Sequence, residues 1–517
     1  MRSAVLKDLF AGIPCRAVQG SMEAAVTGIA YDSRDVRPGY LFVAMDGAHT
    51  DGHLYAPDAA RRGARAILAS RAVENVPGSV TVVEASATRS LLSPLAAAFW
   101  GHPSRSLGVV GVTGTDGKSS TVWFIDRLLS ALGRRSGFLS TVSFKTADEV
   151  VKNPFRQSTP EATEIHGMLR EMVDAGREFA VVEATSHGLS RKTGRLADVL
   201  FDAAVLTNVT HEHLEFHGSF EAYRSDKANL FRALSPSPAK EAGCPRFAVV
   251  NADDASADYF RGCCDVPVYW YSGRPGGRAG REGPSSADLV ALDIRSDIAG
   301  SSFVLAQGAA RAPARIGIPG PFWVENLLAA ALTVSRLLGI DALSLAPLVA
   351  GLTPVPGRMD FVDRGQPFAV IVDYAHTPGA FERLLPWVRA HAAGKVTAVF
   401  GSAGERDVEK RPLQGRAAAL HCHTIVLTEE DPRGEDGMEV LEQIASGCAG
   451  KRRGEDLFLV PDRTEAIRFA IDRAGPGDAV LLLGKGHEGS IIGPRGPRQW
   501  DERAEAERAL AARGYGA

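Results

Sequence analysis

Residues 111–119 read Gly-Val-Thr-Gly-Thr-Asp-Gly-Lys-Ser. Glycines at this density let consecutive backbone N–H groups turn inward around phosphate oxygens, and a helix starting at the lysine adds the positive end of its dipole. Gly114, Thr115, Asp116 and Gly117 would line that cradle, followed by Lys118, Ser119 and Ser120. Lys118 would reach the terminal phosphates of ATP, and the Ser119 hydroxyl would be offered to Mg2+. The spacing is G-x-x-G-x-x-G-K-S, whereas the strict G-x-x-x-x-G-K-S form needs glycine where Val112 stands. An apolar run at 107–112 precedes the loop, and Val122, Ile125, Leu128, Leu129 and Leu132 recur after it at helical spacing. Strand, loop and helix in that order separate this segment from a chance glycine-rich turn.

Two further apolar runs end in polar groups of the same chemistry. Residues 179–182 deliver Glu183 and then Ala-Thr-Ser-His, while residues 204–206 deliver Thr207 and Asn208, followed by His211-Glu212-His213. A carboxylate at a strand end beside a phosphate loop is a hard oxygen ligand for magnesium. Glu183 alone would read as a helix cap and a lone histidine as structural, so the combination carries the expectation. In the last third of the chain, apolar runs at 368–372, 397–400, 425–427 and 480–483 end in clusters at 373–376, 401–407, 428–433 and 484–488. Such runs, alternating with helical stretches, predict parallel strands covered on both faces. Ligands in these sheets bind beyond the carboxyl ends of the strands, where all four clusters fall.

The elements that hold these groups fall into three α/β regions, expected at 1–103, 104–352 and 353–517. A joint is expected at 101–103 and a linker at Thr353-Pro354-Val355-Pro356-Gly357. A Gly-, Arg- and Pro-rich insert at 272–287 reads as a surface loop. The 517 residues exceed a single core, and a net charge of −3 gives no reason to expect nucleic acid or a membrane surface as partner. The N-terminus lacks a signal-peptide pattern and no apolar stretch reaches membrane-spanning length. Six scattered cysteines without a C-x-x-C pair fit a reducing cytoplasm, and a monomer is expected. His421-Cys422-His423 reads as a strand-edge coincidence, there being no second ligand pair.

The ordered motifs resemble those of the Mur ligases over essentially the whole chain, and most of all the tripeptide synthetases among them. The first region has Tyr31-Asp32-Ser33-Arg34, residues 38–44 and residues 47–52. The second has the loop, Ser158-Thr159-Pro160, residues 183–187, 207–217, 223–227 and 319–326. The third has residues 357–360, 373–378, 404–407, 431–433 and 484–488. The resemblance implies an N-terminal UDP-binding domain, a central P-loop ATPase-like domain with a parallel sheet, and a C-terminal Rossmann-like domain. It also implies a reaction. ATP phosphorylates the free carboxylate of UDP-MurNAc-L-Ala-D-Glu, and an amino acid's amine then displaces phosphate from the acyl phosphate.

By the same resemblance, Tyr31, Ser33, Ala48, His49 and Thr50 would hold the uridine end. Gln157, Ser158, Thr159, Thr185 and Arg195 would hold the muramoyl-dipeptide, with Arg191 as a rival to Arg195. Glu183 and His213 resemble magnesium ligands, and Lys227 matches a lysine that is carbamoylated in the family and then holds a second magnesium. An unmodified surface lysine is the plain alternative. Asn326 resembles the adenine contact, and Arg358, Asp373 and His376 would close over the nucleotide. Departures from the family pattern are Asp116 for asparagine, Ser119 for threonine and Trp323 for asparagine.

Arg406, Asp431, Arg433, Gly484 and Glu488 would bind the amino acid. Family members that add meso-diaminopimelate read Asp-Asn-Pro-Arg where this chain reads Glu430-Asp431-Pro432-Arg433. Asparagine can donate to a distal carboxylate, whereas ionised Asp431 only accepts. A bare distal ammonium, as in L-lysine or L-ornithine, is therefore expected first and diaminopimelate second, with Arg433 pulling the other way. A folylpolyglutamate synthetase-like ligase would lack the uridine segments, and a catalytically silent relative would not need Lys118, Glu183, His213 and Lys227.

Overall fold

Short apolar runs bounded by glycine or polar residues become strands buried on both faces. The computed structural model describes residues 2–47, 50–155, 157–210, 214–235, 239–274, 287–297 and 300–516. In it, Gly108–Thr113, Phe179–Glu183, Ala203–Leu206 and Phe247–Asn251 are buried at every position. The chain forms two compact bodies. Residues 1–294, 303–315 and 322–352 make the first, and residues 295–302, 316–321 and 353–517 the second.

The first body begins with a five-stranded sheet ordered Arg16–Gln19, Thr81–Glu84, Ala66–Ala69, Tyr40–Val43, Gly28–Ala30. Its last four strands are parallel, and Leu41, Val43, Leu68 and Val83 pack on Leu92, Leu95 and Phe99 of the helix Thr88–Phe99. An eleven-stranded sheet follows the turn at 101–103. Seven of its strands run parallel in the order Ser136–Leu139, Phe179–Glu183, Gly108–Thr113, Ala203–Leu206, Phe247–Asn251, Val268–Ser272, Leu289–Asp297. Register decides what this sheet can do. Glu183 lies opposite Val112 and Leu206 opposite Thr113, so the three central strands end level with one another. The helix Lys118–Ala131 buries the expected Val122, Ile125, Leu128 and Leu129, but Trp123 and Phe124 are buried as well. It is enclosed on more than the one face that its spacing indicates.

In the second body, the six-stranded sheet runs Asp360–Phe361, Ala369–Asp373, Ala479–Leu483, Val396–Phe400, Thr424–Leu427, Leu457–Leu459. All but the first are parallel. Asp373 lies opposite Leu483 and Phe400 opposite Leu427, which brings the four polar clusters to one edge as their positions predict. Helix ends are defined locally: Thr377, Asp436, Asp462 and Asp501 each accept from a backbone N–H of the first turn. His423 Nδ1 accepts from Val396 N at 2.8 Å and Cys422 is buried, so the His-Cys-His run is framework. Most of the insert at 272–287 lies outside the described residues.

Candidate active site

Two glycines of the phosphate loop are there for separate physical reasons. Gly117 caps the helix in the left-handed region at φ 82°, and a Cβ on it would meet Asn326 Oδ1 at 2.2 Å. Gly114 sits at φ 151°, where a Cβ would meet Thr207 Oγ1 at 1.9 Å. The loop is clamped from the next strand. Thr115 N donates to Asn208 O at 2.7 Å and Asp116 N to Asn208 Oδ1 at 3.0 Å, while Thr207 Oγ1 and Asn208 Nδ2 donate to Asp116 O at 2.6 and 3.1 Å. Thr115 Oγ1 lies 3.0 Å from the Tyr223 hydroxyl, and Lys118 Nζ donates to Thr115 O at 2.7 Å. Ser120 is buried on the first turn of the helix.

Glu183 is buried at the neighbouring strand end. Its Oε2 accepts from Ser119 Oγ and from Thr141 N, and its Oε1 from Thr141 Oγ1, each at 2.8 Å. A hydroxyl and a carboxylate in contact, beside a cradle with no room for a Cβ, form a donor set that suits Mg2+. Lys227 comes from the helix Phe220–Arg232 and is 1% exposed. Its Nζ donates to Gly114 O at 2.6 Å and lies 4.3 Å from the centre of the Tyr223 ring. The surface-lysine alternative is therefore wrong, because this side chain packs onto the phosphate loop. His213, Ala48 and His49 lie outside the described residues.

Beyond Glu183 the chain turns into residues expected to hold a dipeptide. Thr159 Oγ1 donates to Glu183 O at 3.2 Å and lies 2.8 Å from Thr185 Oγ1, which caps the next turn. Arg195 Nη1 donates to Thr159 O at 3.0 Å and Nε to Glu161 Oε1 at 3.0 Å, whereas Arg191 is exposed. Arg89 Nη2 donates to the same Glu161 oxygen at 3.0 Å, so two guanidinium groups share one buried carboxylate. Neither Arg89 nor Glu161 was a sequence candidate; nothing local distinguishes them, and the interaction spans 72 positions. Ser158 is half-buried and Gln157 exposed.

At the five-stranded sheet, Ser33 is buried and the Tyr31 hydroxyl donates to Glu164 Oε1 at 3.3 Å. Burial first, then the Glu164 charge, push the Tyr31 phenol well above its usual range. Thr50 is exposed, its carbonyl accepting from Gly47 N at 2.9 Å. Asp46, Asp51 and His53 gather nearby, but Ser70 N donates to His53 Nε2 at 3.0 Å and Nδ1 lies 2.7 Å from Asp51 Oδ1. Both ring nitrogens are occupied, and Arg71 pairs with both aspartates. That group is scaffold. Asn326 faces Gly117, while Trp323 is buried against Phe124 in core packing.

In the second body, Asp373 accepts from Met359 N and Ala375 N, both at 2.7 Å, and burial raises its carboxyl above the usual range. The Arg358 guanidinium lies 4.6 Å from the centre of the Tyr374 ring, and His376 Nδ1 lies 2.8 Å from Tyr374 O. Asp431 acts as an acceptor, and one of its oxygens is already engaged. Its Oδ1 accepts from Lys485 Nζ at 2.8 Å and from Ile492 N at 2.9 Å, and the same ammonium contacts Glu488 Oε2. Burial pulls the Lys485 ammonium down, but the Glu488 and Asp431 charges outweigh it, and its net shift is upward. Gly484 abuts Glu430 Oε2, Arg406 is exposed, and Arg433 sits at φ 54° with its Nε buried and without a hydrogen-bond partner.

Two buried arginines tie these loops together. Arg411 donates to Ala403 O, Glu435 and Gln443, joining the loops that carry Arg406 and Arg433. Arg463 pairs with Glu502, both fully buried, and donates to Glu429 O at 2.9 Å and Leu483 O at 2.7 Å.

A phosphate loop clamped at the carboxyl edge of a parallel sheet, with Glu183 and Lys227 against it, is the architecture of an α/β nucleotide-binding enzyme. Family models match three successive segments: the Mur ligase family catalytic domain at 25–100, the Mur ligase middle domain at 112–334, and the Mur ligase glutamate ligase domain at 357–486. The chain belongs to the Mur ligase family. A UDP-N-acetylmuramyl-tripeptide synthetase of Roseiflexus sp. (strain RS-1) is 48% identical over 500 residues, covering 95% of this chain and 96% of that one. Its namesake from Treponema denticola is 44% identical over 508 residues, covering 95% of each. A solved UDP-N-acetylmuramoyl-L-alanyl-D-glutamate--2,6-diaminopimelate ligase shares the fold at TM-score 0.64 and 27% identity, with 100% of both chains covered.

Proposed function

We propose that this chain joins a diamino acid to UDP-MurNAc-L-Ala-D-Glu in peptidoglycan precursor synthesis, using ATP. The observation that carries this reading is the pair of guanidinium groups, Arg89 and Arg195, gathered on Glu161. Two guanidinium groups suit an anionic acceptor, and Thr159 links Arg195 by hydrogen bonds to the strand end bearing Glu183. An oxygen of the substrate carboxylate attacks the γ-phosphorus of ATP, and the bond to the bridging oxygen breaks as ADP leaves. The amine then attacks the acyl carbon. The carbon–nitrogen bond forms, phosphate departs with the electron pair, and the amine loses a proton.

In this scheme Gly114 to Ser120 would hold the phosphates, Lys118 would neutralise them, and Ser119, Glu183 and His213 would hold Mg2+. When bound, Mg2+ supplies charge neutralisation for phosphoryl transfer. Lys227 as a carbamate would be the anion that holds a second ion. Positioning and charge do the rest. Tyr31, Ser33, Ala48, His49 and Thr50 hold the uridine end, with Gln157, Ser158, Thr159, Thr185 and Arg195 on the dipeptide. Arg358, Asp373, His376 and Asn326 serve the nucleotide, and Arg406, Asp431, Arg433, Gly484 and Glu488 the amino acid. We read the domains as 1–103, 104–352 and 353–517, and the protein as a cytoplasmic monomer.

The favoured amino acid is L-lysine or L-ornithine, because Asp431 and Glu488 outnumber the one ammonium between them. Meso-diaminopimelate is the second reading, favoured by the unpartnered Nε of Arg433. Phosphate release from ATP, measured with the UDP-dipeptide and each amino acid in turn, decides between them. Turnover with a basic diamino acid is expected, and turnover with diaminopimelate alone would overturn the preference.

A further inference from the structure

Lys485 occupies the kind of position a ligand ammonium would take. Its side chain is fully buried, with Nζ between Asp431 Oδ1 and Glu488 Oε2. Ile492 N donates to the same Asp431 oxygen, so the pair is fixed by backbone as well as by charge. The strand end that supplies Lys485 is held by Arg463 through Leu483 O, and the strand end that supplies Asp431 by Arg463 through Glu429 O. Among themselves the two carboxylates and the ammonium sum to a single negative charge, and the buried Glu430 carboxylate acts on Glu488 beside them.

We propose that Lys485 is a specificity-determining residue: an internal counter-charge that sets how strongly Asp431 and Glu488 discriminate against an amino acid carrying a distal carboxylate. The proposal rests on the ligase reading above and deepens it. Asp431→Asn makes the trio neutral, whereas Lys485→Gln makes it doubly negative. The two substitutions therefore move selectivity in opposite directions, each by about tenfold for a unit charge in a part-buried site. Combining them restores the wild-type sum.

The experiment compares wild type, Asp431→Asn, Lys485→Gln and the double variant. Phosphate release is followed with ATP, the UDP-dipeptide and either meso-diaminopimelate or the better of L-lysine and L-ornithine, with kcat and KM resolved. The ratio of kcat/KM for the basic amino acid over diaminopimelate is expected to fall about tenfold in Asp431→Asn and rise about tenfold in Lys485→Gln. In the double variant it is expected to return near wild type. A residue that only supports the fold would change both amino acids alike, so a ratio unmoved by Lys485→Gln overturns the proposal. If Lys485→Gln alone does not fold, the comparison of the double variant with Asp431→Asn replaces it, and the ratio must rise. Wild-type protein inert toward every amino acid overturns the ligase reading and this proposal with it. An active wild type with an unmoved ratio overturns only the role of Lys485.

Discussion

A carboxyl group part-buried next to another resists ionisation, and Glu325, beside Asn326, is in that position. Burial first, then the Asp253 charge, raise it from 4.5 to about 6. The folded chain therefore holds this proton more tightly than the unfolded chain does. The associated stability is full below 4.5 and is lost as pH rises through about 6, leaving a cost of about 2 kcal/mol above that point. Glu325→Gln should remove the cost. Urea unfolding should show the variant more stable than wild type by about 2 kcal/mol near pH 8 and nearly equal near pH 4. A difference that does not change with pH would contradict this account.

At the scale of elements, the Arg463–Glu502 pair fastens the helix Arg463–Arg473 to the helix Glu502–Ala512, and Trp500 Nε1 donates to Glu502 at 2.6 Å. Arg463→Met leaves a buried carboxylate unpaired and should destabilise the second body by about 3–5 kcal/mol in urea. Adding Glu502→Leu should recover only the part of that loss that comes from the unpaired charge, because Glu429 O, Leu483 O and Trp500 Nε1 still lose their partners; no recovery would show that the pair's packing and hydrogen bonds, not its charge, are what matter. The strands were legible in the sequence because apolar runs of Val, Leu and Ala between glycines have few alternatives. The helix after the phosphate loop was legible by its spacing. Lys227 was legible as a residue but not in its placement, since helical spacing does not tell which strand end a lysine will reach. The contact of Asp431 with Lys485 was not legible for the same reason, since the two are 54 positions apart. Arg411, Arg463 and Glu161 were not legible at all, because in a sequence a charged residue destined for burial looks like one destined for water.

At the scale of the molecule, each body carries its own apolar core. One includes Val109, Val182, Leu206 and Val250, the other Val370, Val399, Val426 and Leu482. Calorimetry should therefore resolve two unfolding transitions, with ADP and Mg2+ raising the one that reports the body containing residues 111–119. One transition that moves as a whole would show that the bodies unfold as a unit. Among the described residues no single helix is long and apolar enough to cross a membrane.

The clamp on the phosphate loop has a consequence for protein engineering. The bonds that shape Thr115 and Asp116 come from Thr207 and Asn208, more than 90 positions later. Transplanting residues 111–119 onto a foreign sheet would carry the glycines and the lysine but not the asparagine that pins them. The portable unit is a pair of adjacent strand ends, and a graft has to move both.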